Sequence, residues 1–211
     1  MFIPIGKQCG TTKLLQKYNL RKQSLPFDWN ITKSLSTINS MLKDDNFINN
    51  FFSNIDDLSN NKFYTKYFGA SKNKKNLMLI SKKYDGLIFR HFDLINDIDI
   101  KNKLRMRIER FLNILKKFKG SIKFVRILHV GDIDIRLKKS NININSLDDY
   151  NADKLCLDIQ EFFDILNKKF NRYSDVLIIF SKNNQYNSIL SKKITNKNIY
   201  IVNNIDDIFI R

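Results

Sequence analysis

Apolar residues recur along the chain with two different periods, and the switches between those periods mark out its elements. Ile3 and Ile5 flank Pro4 just before Gly6, which predicts a short strand. Leu14, Leu15 and Tyr18 then fall at helical spacing after Cys9, with Thr11 and Thr12 available as caps. Ile31, Leu35, Ile38, Met41 and Leu42 share one helical face behind Asn30 or Thr32, and 46–52 predict a shorter helix. Residues 53–75 are rich in Asn, Lys and Ser and predict irregular structure, a flexible insertion crossing the surface. The apolar runs 77–80 and 87–89, on either side of Asp85-Gly86, predict a hairpin.

In the second half, Leu104, Ile108, Phe111, Leu112 and Leu115 make the buried stripe of a helix over 98–117, closed by Gly120. Residues 122–128 predict a strand covered on both faces, 132–137 an adjoining strand and 141–146 a low-complexity loop. A long helix starting at Asn151 or Asp153 turns Leu155, Leu157, Ile159, Phe162, Phe163, Leu166 and Phe170 inward. Buried strands follow at 175–180 and 199–202. Strands alternating with helices predict one α/β domain over 1–211, a mixed and mostly parallel sheet with helices on both faces.

Composition adds two constraints. The 211 residues are 43% hydrophobic, enough for a substantial core, and their formal charge of +16 favours phosphate-rich partners. Lys72, Lys74, Lys75, Lys82 and Lys83 near Tyr64, Tyr67 and Tyr84 would suit a non-catalytic nucleic-acid-binding module, bases stacking on the rings above a basic surface. The competing reading is a solvated surface written by an AT-rich genome, since Lys, Asn and Ile abound while Gly and Pro are scarce. Two cysteines outside any Cys-x-x-Cys pair make neither a disulfide framework nor a zinc site, which fits a reducing compartment. No signal peptide or apolar span of ~18 residues is visible, so the expectation is an intracellular, cytoplasmic protein with no membrane partner.

The candidate chemistry centres on Cys9. It would stand at a strand-to-helix corner, where unpaired backbone N–H groups favour a thiolate and can hold an oxyanion. Gly6 and Gly10 leave room for tight backbone on either side of it. Backbone N–H groups of Cys9 and Gly10, with the Gln8 amide, would form the oxyanion site. His91 is the candidate base for the thiol, and a third group would orient its imidazole. Asp93 shares a strand face with His91, while Asp28, beside Trp29 in the loop 24–29, competes for that role. The structural alternative makes Cys9 a small buried hydrophobe and Trp29 a packing anchor. Cys156 reads as core. No cofactor and no metal are called for by this set.

The order Ile5-Gly6-x-x-Cys9, then Leu20-Arg21-x-x-Ser24-x-Pro26-Phe27-Asp28-Trp29, a distant His91 and Arg107-x-x-Arg110-Phe111-Leu112 resembles a papain-like cysteine peptidase family of bacteria and large DNA viruses. The likeness covers the first half to two-thirds of the chain. It implies an α+β papain-like fold and a thiol peptidase, hydrolase or acyl transferase working through a thioester. Its substrate would be a peptide, protein or acyl conjugate, met in the host cytoplasm if the protein is viral. A different chemistry is suggested by Gly120-Ser121 followed by Asp132-Ile133-Asp134-Ile135. That run is similar to the nucleotidyltransferase pattern, in which paired carboxylates hold magnesium, here with His129 nearby. Against it, 122–128 reads as a strand where that pattern needs a helix, and Asp-Ile-Asp recurs at 97–99.

Overall fold

The structure is a computed structural model that describes residues 1–6, 9–28, 30–57, 79–89, 92–128, 151–182, 184–204 and 206–207, with Cys9 and Gln185 described by their backbone alone. Its elements run β1 (Phe2–Pro4), α1 (Cys9–Lys17), β2 (Asn30–Thr32), α2 (Leu35–Lys43), α3 (Phe47–Asn50), β3 (Ile55–Asp57), β4 (Leu79–Ser81) and β5 (Leu87–Phe89). They continue through α4 (Ile98–Lys117), β6 (Lys123–Leu128), α5 (Ala152–Phe170), β7 (Val176–Ser181), α6 (Asn184–Lys193) and β8 (Ile199–Val202).

The fold is mixed α/β, and its parallel and antiparallel strands are sorted into separate sheets. One sheet is parallel throughout, in the order β1-β6-β7-β8; the other is antiparallel, in the order β2-β5-β4-β3. The segment from β2 to α4 is inserted between β1 and its neighbour β6, so an α+β arrangement exists only within that segment. β6 and β7 are buried almost from end to end, as strands covered by helices on both faces must be. Phe124, Leu128, Leu177 and Ile179 face a large core shared with Phe111 and Leu115 of α4 and Phe162 and Leu166 of α5. Val125, Ile127, Ile178, Phe180 and Val202 face a smaller core closed by Leu15 of α1. Successive side chains of one strand thus feed both cores.

Several local expectations are corrected. Ile31 lies in β2, paired with Ile88, so α2 starts only at Leu35 behind Ser34. Residues 55–57, expected to be irregular, pair with β4 as an edge strand, and the rest of the insertion, 58–78, lies outside the described residues. Leu157 is 72% exposed because helical periodicity carries it off the buried stripe of α5. Gly120 does not close α4, whose C-cap is Phe118. α6 was not anticipated, since Tyr186 and Leu190 are too few to make a clear stripe. Asp97 and Asn151 cap α4 and α5, accepting from the amides of Ile100 and Lys154 at 2.9 and 3.1 Å. The strand expected over 132–137 and the loop over 141–146 lie outside the described residues. Among the described residues no helix is long and apolar enough to cross a membrane.

Two arginines fix how these pieces meet. Arg126 in β6 is fully buried; its Nη1 donates to Ile5 O at 2.7 Å and to Thr32 Oγ1 at 3.2 Å, and its Nη2 to Thr32 O at 3.1 Å. One guanidinium therefore joins the end of β1 to the end of β2, parallel sheet to antiparallel sheet. Gly6 lies against it with φ +94°, and a Cβ there would overlap Thr32 Oγ1 and crowd Arg126 Nη1. The second arginine, Arg172, pairs with Asp175 and donates to Phe118 O at 2.7 Å and Gly120 O at 2.8 Å, while Asp175 Oδ1 accepts from Ile122 N at 2.9 Å. This clamp sets the turn from α4 into β6. It also explains why the glycine there serves through its carbonyl rather than as a helix stop.

A third polar group anchors the hairpin. The Tyr84 ring is buried, and its hydroxyl donates to Asp44 Oδ2 at 2.7 Å. Burial acts to raise the Asp44 carboxyl. Hydrogen bonds from Tyr84, Asn50 and the Asn46 amide outweigh it and hold the group below its ordinary value.

Gly6→Ala is expected to destabilise the protein by at least about 2 kcal/mol, read as a fall in the denaturant midpoint, because backbone strain and the clash with Thr32 act together. Tyr84→Phe is expected to cost about 1 kcal/mol at neutral pH. Because the Asp44 carboxyl is depressed, the stability linked to it is complete above the ordinary carboxylate value of about 4 and is lost as pH falls through the lowered value. The denaturant midpoints of the parent protein and Tyr84→Phe should therefore draw together as pH falls below about 4 and meet beneath the lowered Asp44 value.

Candidate active site

The first strand and first helix make the corner that the sequence predicts. β1 ends at Pro4, Gly6 takes its positive φ, and α1 opens at Cys9. No acidic residue occupies the first turn of α1, so the positive end of its dipole is left uncompensated. Thr11 and Thr12, expected as caps, act in the opposite sense: both are buried, and their hydroxyls donate outward to carbonyls. Thr11 Oγ1 donates to Gly6 O, and Thr12 Oγ1 to Asp28 O at 2.7 Å. The start of α1 is thereby tied to β1 on one side and to the loop 24–28 on the other. Gly10 is half-buried within the first turn.

That loop is built around a carboxylate. Asp28 is fully buried, and its Oδ2 accepts from Leu25 N at 2.9 Å, from Arg21 Nε at 3.1 Å and from Arg21 Nη2. Arg21 Nη2 also reaches Ser24 Oγ at 2.8 Å. Phe27 sits edge-on to Phe111 of α4, ring centroids 5.2 Å apart, and Arg110 Nη1 donates to Ser24 O at 2.8 Å, so the loop is fastened to α4 as well. Asp28 Oδ1 has no hydrogen-bond partner among the described residues, and the same holds for Oδ1 of fully buried Asn30. A buried acceptor left open costs more than the average hydrogen bond gains, so two such oxygens, one at the end of the loop and one at the first residue of β2, mark a place where a donor is expected.

The hairpin approaches the same loop. Asn30 is the cross-strand partner of Phe89 in the β2–β5 pairing. Downstream, the Arg107 guanidinium of α4 lies over the Phe92 ring at 5.8 Å, and Arg107 senses the Asp28 charge. Burial pushes the Arg107 guanidinium down, Asp28 acts the other way, and Arg21 and Arg110 add to the lowering. Asp93 is placed differently from Asp28. Its Oδ1 accepts from Ile95 N at 3.1 Å and Asn96 N at 2.9 Å, and its Oδ2 from Asn96 Nδ2 at 3.2 Å, a turn motif that holds the carboxyl below its ordinary value.

The side chain of Cys9 and the residues Gln8, Trp29 and His91 lie outside the described residues, as do His129, Asp132, Asp134, Lys72, Lys74, Lys75, Tyr64 and Tyr67. Tyr84, one of the rings proposed to stack on bases, is engaged with Asp44 in the interior and offers no face to a ligand. Gly120 and Ser121 lead straight into β6, and Ser121 Oγ donates to Ser174 O at 2.8 Å; the strand stands where a nucleotidyltransferase pattern needs a helix. Cys156 is half-buried and packs against the core, and burial pushes its thiol up. Sequence reasoning takes Thr12 and Asn30 only as caps and Arg107 only as part of an Arg-x-x-Arg run, and misses their placement around Asp28. Buried polar residues beside apolar ones were the only available signal for the first two. For Arg107 it was the Arg-x-x-Arg spacing.

Residues 1–134 match the model of a family described as "Putative papain-like cysteine peptidase". A 43-residue stretch, 20% of this chain, is 42% identical to an uncharacterized protein of Acanthamoeba polyphaga mimivirus and spans 19% of that protein's length. No solved structure matches the chain.

Thr12→Val keeps the shape of the side chain but strands the buried Asp28 carbonyl. The expected cost is about 1–2 kcal/mol in chemical denaturation, with the slope of the transition unchanged.

Proposed function

Since the chain belongs to the family whose model covers residues 1–134, we propose that it is a cysteine hydrolase acting on an amide or ester of a peptide, protein or acyl conjugate. Cys9 is the nucleophile and His91 its base. The thiolate attacks the substrate carbonyl, the amine or alcohol leaves with a proton from the imidazolium, and a thioester remains on Cys9. Water, deprotonated by His91, then attacks the thioester; the acid is released and the thiol is restored. An amine in place of water turns the same chemistry into acyl transfer. Backbone N–H groups of Cys9 and Gly10, with the Gln8 side chain, receive the oxyanion, and Trp29 forms a wall of the cleft.

The observation that carries this reading is the opening of α1 at Cys9 immediately after β1, with Thr12 fastening that helix to Asp28. A helix start without acidic residues suits a thiolate. The third group is better assigned to Asp28 than to Asp93. Asp28 is buried, is held rigidly by Arg21 and Leu25, and keeps Oδ1 open, whereas both oxygens of Asp93 are engaged in its own turn. Asn30 and Phe89 form one rung of the β2–β5 pair; in sequence Asp28 precedes Asn30 by two residues and His91 follows Phe89 by two.

Cys9→Ala is expected to abolish both hydrolysis and labelling by a thiol-reactive electrophile. Asp28→Asn is expected to lower kcat/KM by about a hundredfold or more, and Asp93→Asn by less than about threefold. Hydrolysis that survives the loss of Cys9 would remove the reading; equal effects of the two carboxylate changes would remove Asp28 from it.

A further inference from the structure

The Arg107-x-x-Arg110 pair of α4 takes no part in the reaction above, and the fold treats its two members unequally. Arg110 is anchored to the Ser24 carbonyl, and Arg21 is anchored to Asp28 and Ser24. Arg107 makes no hydrogen bond among the described residues, and its Nη1 is shut away from solvent without an acceptor. The Phe92 ring, 5.8 Å from the guanidinium carbon, restricts its orientation and supplies no hydrogen-bond acceptor for Nη1. Among the described residues the charges acting on it are Asp28, Arg21 and Arg110, and Asp28 is already paired with Arg21. Among the described residues, three guanidinium groups thus lie near one carboxylate, at a place bounded by the loop tied to α1 and by Phe92.

An arginine in that state is short of an acceptor. A carboxylate fits the deficit better than any neutral group, because its two oxygens match the guanidinium fork and its charge offsets the local excess. The surroundings are partly desolvated, so the contact would be stronger than at an open surface and a neutral isostere would leave the donors poorly matched. We propose that Arg107 is a specificity residue that binds an acidic side chain of a peptide substrate, close to the carbonyl that Cys9 attacks. This inference rests on the cysteine hydrolase reading, and it names the substrate class that reading leaves open.

The test uses the full chain and tetrapeptide vinyl sulfones carrying a single Glu at each position in turn, each compared with its Gln isostere. The readout is the second-order rate of labelling at Cys9. At one position Glu should label about tenfold or more faster than Gln. Arg107→Gln should bring that ratio close to one, and Arg107→Lys should keep part of it. Arg105→Gln, which removes the same charge from the same helix, should leave the ratio where it was. Fast labelling of Cys9 with no preference for Glu at any position would overturn this inference and leave the hydrolase reading standing. A preference equally sensitive to Arg105 and Arg107 would overturn it too, by showing only a diffuse field. No labelling of Cys9 by any probe would overturn both.

Discussion

A single guanidinium in the interior sets the geometry on which the rest of this molecule depends. Arg126 rises from the middle of the parallel sheet and donates to the carbonyls of Ile5 and Thr32. A buried charge is tolerated only when its donors are met, and here they are met by the ends of two strands from different sheets. The consequence is positional. The point where the chain leaves β1 is fixed against the point where it leaves β2, and Gly6 is required between them because no side chain fits.

From that fixed point the candidate site is assembled by short polar ties. α1 begins at Cys9, and the Thr12 hydroxyl binds it to the Asp28 carbonyl. The loop 24–28 is fastened to α4 by Arg110 and by the Phe27–Phe111 ring contact. α4 is set in turn against the parallel sheet by the Arg172–Asp175 clamp, which satisfies the carbonyls at its end and the first amide before β6. The opening of α1 at Cys9 and the loop that carries Asp28 are therefore both held against rigid elements. This is how a site gains precision without being built into a core.

The two carboxylates considered for one role show what burial decides. Asp28 and Asp93 are both acidic residues in turns beside aromatic neighbours, and as letters in a sequence they are equivalent. In three dimensions Asp93 satisfies its own turn at the surface, while Asp28 lies in the interior with three donors on one oxygen and, among the described residues, none on the other. Arg110 and Arg107 diverge in the same way, the first satisfied by a carbonyl and the second left, among the described residues, with its buried Nη1 unmatched.

The sequence by itself determined the elements whose stripes are long or whose runs are wholly apolar. α4, α5, β6, β7 and β8 stand close to where periodicity predicts them, because burying that much hydrocarbon leaves few alternatives. It also determined the strand-to-helix corner at Cys9, since Gly6 and the change of period are local features. Short elements escaped it: β2 took Ile31 from the helix predicted there, and β3 formed within a polar stretch, because a three-residue strand is made by its partner and not by its own residues. The sorting of strands into two sheets, the choice of Thr11 and Thr12 as ties rather than caps, and the inequality of Asp28 and Asp93 were decided only by the tertiary structure. Each depends on which polar atoms are cut off from water and which partners reach them, and that is a property of residues far apart in the chain.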